Sequence, residues 1–306
     1  MSPLSFPRSV VSPSNRFYIL NGLPEREAQA GGRTRDDMLD GILAQAPASY
    51  AETRAQVQHI ACPDPAAFHA AISRIQADAH AGARPLVFVH GHGDSEKGLQ
   101  LASGAFIGWP AYLEALNAVT LAAAGELTVI AAFCQSMAIV PLLPSTAPLP
   151  FAFYYGYDHE VSAGTVEDET AALYQAFLKD GGQSVGSLPA TLKSHSEYDH
   201  VAPALAQLCA LWAAPAVVAQ AVPALSKRSV RRHVEARLIA NGERPQRVGE
   251  TVKAAFRSEA VLEQVVAQFM HDTERRQQVI GGLLRWRDQR PPVSSPTASN
   301  TRSRVP

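Results

Sequence analysis

Leu86-Val87-Phe88-Val89 is apolar without a break. A strand with one face in water alternates apolar and polar side chains, so an unbroken run implies burial on both faces, as in a parallel sheet between helices. Other segments repeat the theme. Phe17 to Leu20 reads as a strand ending at Asn21-Gly22, Val57 to Ala61 as a second stopped by Cys62-Pro63, Leu127 to Phe133 as a fourth and Phe151 to Tyr155 as a fifth. Helical patterns lie between them. Met38 to Leu43 starts one. Asp64-Pro65 supplies an N-cap with proline at the first helical position, followed by Phe68, Ile72 and Ile75. Pro110 opens another, and Val166 to Leu178 forms a third. Leu99–Leu101 and Ala105–Ile107, with Ser103-Gly104 between them, read as a small hairpin. The alternation predicts an α/β sandwich with a mostly parallel sheet over residues 13–200, and chemistry gathered at the carboxyl ends of the strands.

The flanks read differently. Residues 1–12 are Ser/Pro-rich and expected to be flexible, 201–289 to be helical, and 290–306 to be a disordered tail. Val201 to Ser226 carries no charge over 26 residues, long enough to cross a bilayer, but ten are Ala and Pro203, Pro215 and Pro223 divide it. A buried helix pair is expected there rather than a membrane span. Residues 228–286 read as amphipathic helices with turns near Asn241-Gly242. Residues 1–225 hold 11 Lys/Arg against 20 Asp/Glu, whereas 226–306 hold 16 against 8, so an acidic body precedes a basic end. That asymmetry suits attraction within the chain, or docking of a substrate or regulator. No nucleic-acid partner is expected, and the oligomeric state is left open.

Two strand ends carry reactive groups. The third runs into His90-Gly91-His92-Gly93-Asp94 and the fourth into Phe133-Cys134-Gln135-Ser136. Adjacent parallel strands would deliver a histidine and a cysteine to one edge. A cysteine needs a base or an electropositive setting to become a thiolate, and a histidine can supply that and later protonate a leaving amine. The other two cysteines, Cys62 and Cys209, form no pattern with Cys134. The absence of a disulfide framework and of an apolar leader fits a reducing cytoplasm.

The runs V-F-V-H-G-H-G-D, G-L-Q-L-A-S-G-A-F-I and L-T-V-I-A-A-F-C-Q-S resemble the core of the caspase-like cysteine peptidases, with the texture of the bacterial CHAT proteases. The 42 residues from His92 to Cys134 compare with roughly 50 in caspases. Tyr18–Gly22 with the following Arg33-Thr34-Arg35-Asp36-Asp37 resembles the first strand and its loop, and Tyr154–Val161 the strand after the cysteine. The resemblance covers about residues 15–195. It implies a caspase-like three-layer sandwich and a cysteine endopeptidase without cofactor or metal. Limited proteolysis of a protein partner is implied, in a bacterial defence or cell-death setting where a gasdermin-like protein encoded nearby is one possible target.

Both His-Gly pairs satisfy the family pattern, and the metacaspase form of it favours His92 over His90 as base. The resemblance places Cys134 as nucleophile, with the N–H groups of Gly93 and Cys134 facing the oxyanion. Ala132 departs from the Gln or Asp that relatives carry two residues before the cysteine. Arg26, Arg33 and Arg35 lie where caspases place part of an arginine pocket for an acidic side chain, whereas Asp158 would favour a basic one. Three rivals remain. H-G-H-G-D resembles the zinc motif of metallo-β-lactamase-like hydrolases, although Ser95 stands where a further histidine belongs. Gly182-Gln183-Ser184-Val185-Gly186 matches the serine-hydrolase G-x-S-x-G, but after a helix instead of a strand. An inactive caspase-like scaffold is the third.

Overall fold

The computed structural model describes residues 4, 6–27, 29–45, 56–145, 147–182, 185, 191–213, 232 and 259–289. In chain order its elements are β1 (Arg16–Asn21), α1 (Gln29–Gln45), β2 (Val57–Ala61), α2 (Pro65–His80), β3 (Pro85–His90), β4 (His92–Asp94), β5 (Gly98–Gln100), β6 (Phe106–Ile107), α3 (Trp109–Ala122) and β7 (Thr128–Ala132). A 3₁₀ turn (Ser136–Leu142), β8 (Phe153–Gly156), α4 (Ala163–Asp180), β9 (Lys193–Ser196), α5 (Glu197–Ala213), α6 (Glu259–Val266) and α7 (Thr273–Asp288) follow.

Six strands form one sheet in the order β2-β1-β3-β7-β8-β9, parallel except for the last pair, and β4-β5-β6 make a small antiparallel sheet beside it. Period-2 alternation sorts the strand side chains into two cores. Phe17, Ile19, Leu86, Phe88, Ile130 and Ala132 face the layer of α1, α4, α5, α6 and α7. Tyr18, Leu20, Val87, Val89, Val129 and Ala131 face α2, α3 and the small sheet. The result is an α/β sandwich of three layers, with β3 and β7 buried on both faces.

Local signals place most helix ends. Asp64 Oδ1 accepts from Ala67 N at 2.8 Å, capping α2 ahead of Pro65. Ser162 caps α4 by accepting from Thr165 N at 3.1 Å, and Gly181 ends that helix with φ 63°. The G-x-S-x-G string begins at the next residue, Gly182, in the turn after this C-cap. Gln183, Ser184 and Gly186 lie outside the described residues, and a helix rather than a strand leads into them.

Three features of the structure go beyond what the sequence suggests. First, α1 begins at Gln29, well before Met38, so Arg33 to Asp37 is helical and not a loop. The helix includes Gly31 and Gly32, and each glycine costs a helix about 1 kcal/mol. Packing overrides that cost: a Cβ on Gly31 would lie 2.7 Å from His59 Nε2 and 2.8 Å from Asn21 Nδ2, closer than a side chain tolerates. Second, residues 6–12 are tied down. Tyr155 donates to the Val10 carbonyl, Ser12 N donates to Thr128 Oγ1 at 2.9 Å, and Phe6 packs against Gly282.

Third, the boundary at residue 200 falls inside α5, and the C-terminal helices complete the first core instead of standing apart. Leu262, Val266, Met270, Val279, Ile280 and Leu283 are buried there with Phe153 and Val201. Arg275 of α7 pins the arrangement, bonding Glu197 and Glu126 at 2.9 Å each and the Gly125 carbonyl at 3.2 Å. Its guanidinium also lies 5.3 Å from the centre of the Phe153 ring. Burial pushes the Glu197 pKa up against the pull of Arg275, whereas for Arg275 the carboxylates outweigh burial and hold it charged. The uncharged run from Val201 begins as α5, with Val201, Leu205 and Leu208 in the core, and its part beyond 213 lies outside the described residues, as does the tail 290–306. No described helix is long and apolar enough to cross a membrane.

Candidate active site

The parallel register between β3 and β7 ends on the pair His90 and Ala132. Each chain then runs two residues further, one to His92 and the other to Cys134. Both side chains line a single cavity of about 360 Å³ at the carboxyl edge of the sheet, together with Glu27, Arg33, Val161 and Glu167. A cleft at this edge is where an open α/β sheet offers free strand ends and loops.

The two histidines have opposite settings. His90 continues the alternation of Phe88, stacks on that ring with centroids 4.7 Å apart, and is 6% exposed. Its Nε2 lies 3.2 Å from Thr34 Oγ1 of α1. Burial, seconded by His59, pushes its pKa down to about 4, so it stays neutral at pH 7. His92 is half-exposed on β4, free to meet a substrate, and its Nε2 stands 3.1 Å from Glu27 Oε2. Glu27 Oε1 in turn accepts from Arg26 Nε at 2.9 Å.

Cys134 is partly buried and, like Cys62 and Cys209, in no disulfide. The Val161 N–H points at its sulfur from 3.3 Å, and the thiol can donate to the Val161 carbonyl at 3.4 Å. Gln135 follows in the left-handed region at φ 56°, a conformation that costs a non-glycine residue on the order of 1 kcal/mol and recurs at functional turns. Around this turn Gln135 N donates to the His159 carbonyl at 3.2 Å and Met137 N to the Tyr157 carbonyl at 2.9 Å. Ser136 Oγ, fully buried, accepts from Tyr157 N at 2.8 Å and donates to the Ala131 carbonyl at 3.3 Å. The reversal after β7 is therefore held on both sides, and the cysteine sits at its tip. No hydrogen bond joins His92 to Cys134 among the described residues; such bonds commonly tighten only when substrate is bound.

The specificity candidates separate. Arg33 lines the cavity, but its Nε and Nη2 close on both oxygens of Glu167, at 2.5 and 3.0 Å. The hydrogen bond from Arg33 holds the Glu167 pKa low, and the same bond raises that of Arg33. Arg26 also lines the cavity, whereas Arg35 is turned away and paired with Asp36. Asp158 is exposed, pairs with His159 Nδ1 at 2.7 Å, and is not part of the cavity wall.

The H-G-H-G-D string does not converge on a metal. His90 goes to Thr34, His92 to Glu27, and Asp94 Oδ1 accepts from the Glu96 and Lys97 N–H groups at 2.9 Å each, closing a turn. Among the described residues no cluster of three His, Cys, Asp or Glu could hold an ion. Sequence reasoning missed Glu27, Glu167 and Val161. None of them carries a local pattern, because each acts through space from a distant element. No protein-family model matches the chain, and neither does any curated protein sequence.

Proposed function

We propose that the protein is a cysteine endopeptidase of the caspase-like kind, with Cys134 as nucleophile and His92 as general base. The observation that carries this reading is the β3–β7 register, which brings one histidine and one cysteine to adjacent strand ends in one cavity. Such a pair is what acyl transfer by a thiol needs.

The steps follow from the groups present. His92 takes the Cys134 proton, and the thiolate sulfur attacks the carbonyl carbon of the scissile peptide bond. The carbonyl π electrons move to oxygen, where the resemblance implies that the N–H groups of Gly93 and Cys134 receive the charge. The intermediate collapses as the C–N bond breaks and His92 protonates the departing amine. Water, deprotonated by His92, then attacks the thioester, releasing the new carboxyl terminus and restoring the thiol. Glu27, on Nε2 of His92, holds the ring and leaves Nδ1 as the nitrogen that exchanges the proton.

The resemblance in sequence supports limited cleavage of a protein partner in a bacterial defence or cell-death setting, with a gasdermin-like protein as one target. A thiol-reactive peptide probe tests the chemistry on purified, zinc-free protein. Labelling that disappears in Cys134→Ala supports the peptidase. Undiminished labelling or hydrolysis in that variant overturns it, and a wild-type protein that never labels returns the inactive-scaffold reading.

A further inference from the structure

We infer that the cavity beside Cys134 selects a substrate residue with an uncharged side chain, because its own charges are matched in pairs. The inference rests on the peptidase reading and names what that site would accept. Four charged residues line the cavity, two arginines and two glutamates. Arg33 is closed on Glu167 through two parallel hydrogen bonds, which occupy both carboxylate oxygens and one two-donor edge of the guanidinium. Arg26 is closed on Glu27. The histidines do not upset the balance: His90 is buried and neutral, and His92 faces Glu27.

Most of the rest of the wall is apolar, with Leu23, Phe133 and Val161 in it and Gln29 as a neutral polar member. Ala132 ends β7 where a longer polar side chain would reach into the space, and Ala30, Ala163 and Val166 continue the lining from α1 and α4. An aspartate entering here meets an Arg33 whose charge Glu167 already balances, and an arginine meets a Glu167 whose two oxygens Arg33 already bonds. Either gains less than it would from an unmatched partner, and it gives up its own hydration to enter. An aliphatic or small neutral side chain fills the space without breaking anything.

The same arrangement makes Arg33 and Glu167 opposing determinants of specificity. Removing one should expose the charge of the other. The test uses a set of fluorogenic peptides and matched ketone probes that differ only in the residue before the scissile bond: Leu, Ala, Asp or Arg. The full-length protein should turn over the Leu or Ala substrates about tenfold faster than either charged one, the scale of a charge-assisted contact. Glu167→Gln should raise turnover after Asp, and Arg33→Met should raise turnover after Arg. The double variant should return to the wild-type order, which separates a charge effect from damage to α1 or α4. A wild-type preference for Asp or Arg overturns this inference alone, and so does an unchanged order in both single variants. Failure of every probe to label Cys134 overturns the peptidase reading and this inference with it.

Discussion

Gly93 and Cys134 meet backbone to backbone. A Cβ placed on Gly93 would overlap the Cys134 carbonyl oxygen and carbon, and it would also press on the Phe133 ring. The clash is with main chain, so no side-chain rotation relieves it. Strand β4, which carries His92, is therefore seated directly against the segment that carries the thiol.

The first prediction follows from that seating. Gly93→Ala should push β4 from Cys134 and move His92 with it. A displacement on the ångström scale costs about 10²-fold in a positioned reaction. Turnover of a peptide substrate should fall by that order while the cysteine still reacts with iodoacetamide. Wild-type turnover in Gly93→Ala would mean that the two segments separate without consequence.

Glu27 yields the second. Its carboxylate stands on Nε2 of His92 at 3.1 Å, fixing the ring and the tautomer. Glu27→Gln keeps the shape and removes the charge. We expect kcat to drop by about tenfold or more with KM little changed, since Glu27 acts through His92 and not on the substrate. An equal change in KM with kcat unaffected would assign Glu27 to substrate binding instead.

The core strands were legible in the sequence because they rest on local patterns. Leu86 to Val89 can be stable only when covered twice, and Cys134 stands out because it ends a core strand at the family's distance from a His-Gly pair, whereas Cys62 precedes both pairs. His90 and His92 each precede a glycine, and only the resemblance favours His92 as base. In the structure their settings differ: His90 keeps the face of Phe88 and goes under α1, whereas the chain turns out of the sheet before His92. Pairings such as Glu27–His92 and Arg33–Glu167 leave no local trace, since each joins residues on separate elements. The C-terminal helices were recognisable as amphipathic, but amphipathicity does not say which surface a helix covers. The start of α1 was missed for a similar reason, since the fit of Gly31 against Asn21 of β1 and His59 of β2 is a contact between separate elements.

His90 makes stability pH-dependent. An unfolded histidine titrates near 6.5, whereas in the folded protein His90 is pushed down to about 4 by burial. Below pH 6.5 the unfolded chain takes up a proton that the folded one refuses. Its contribution is therefore intact above 6.5 and lost progressively as the pH falls toward 4. Between pH 7 and 5 this amounts to about 2 kcal/mol. His59, His195 and His271 are also lowered by burial and add in the same direction, so a difference measurement is needed. Urea unfolding of wild type and His90→Gln across this range should show a shallower slope in the variant. Parallel slopes would show that His90 is accessible to protons in the folded state.

Arg275 gives the fourth prediction, at the far end of the sheet from Cys134. Its side chain is 4% exposed and that of Glu197 is 0% exposed, so neither charge has water to fall back on. Arg275→Met leaves Glu197 buried and unmatched, a change that costs about 3–5 kcal/mol where one partner of a buried pair is removed. Adding Glu197→Gln removes the stranded charge and should recover a good part of the loss, because much of the penalty is the desolvated carboxylate and not the missing bond. Chemical denaturation of the two variants measures both effects. A loss under about 1 kcal/mol in Arg275→Met would place the pair in the range of exposed ion pairs and show that α7 is held by its apolar face alone.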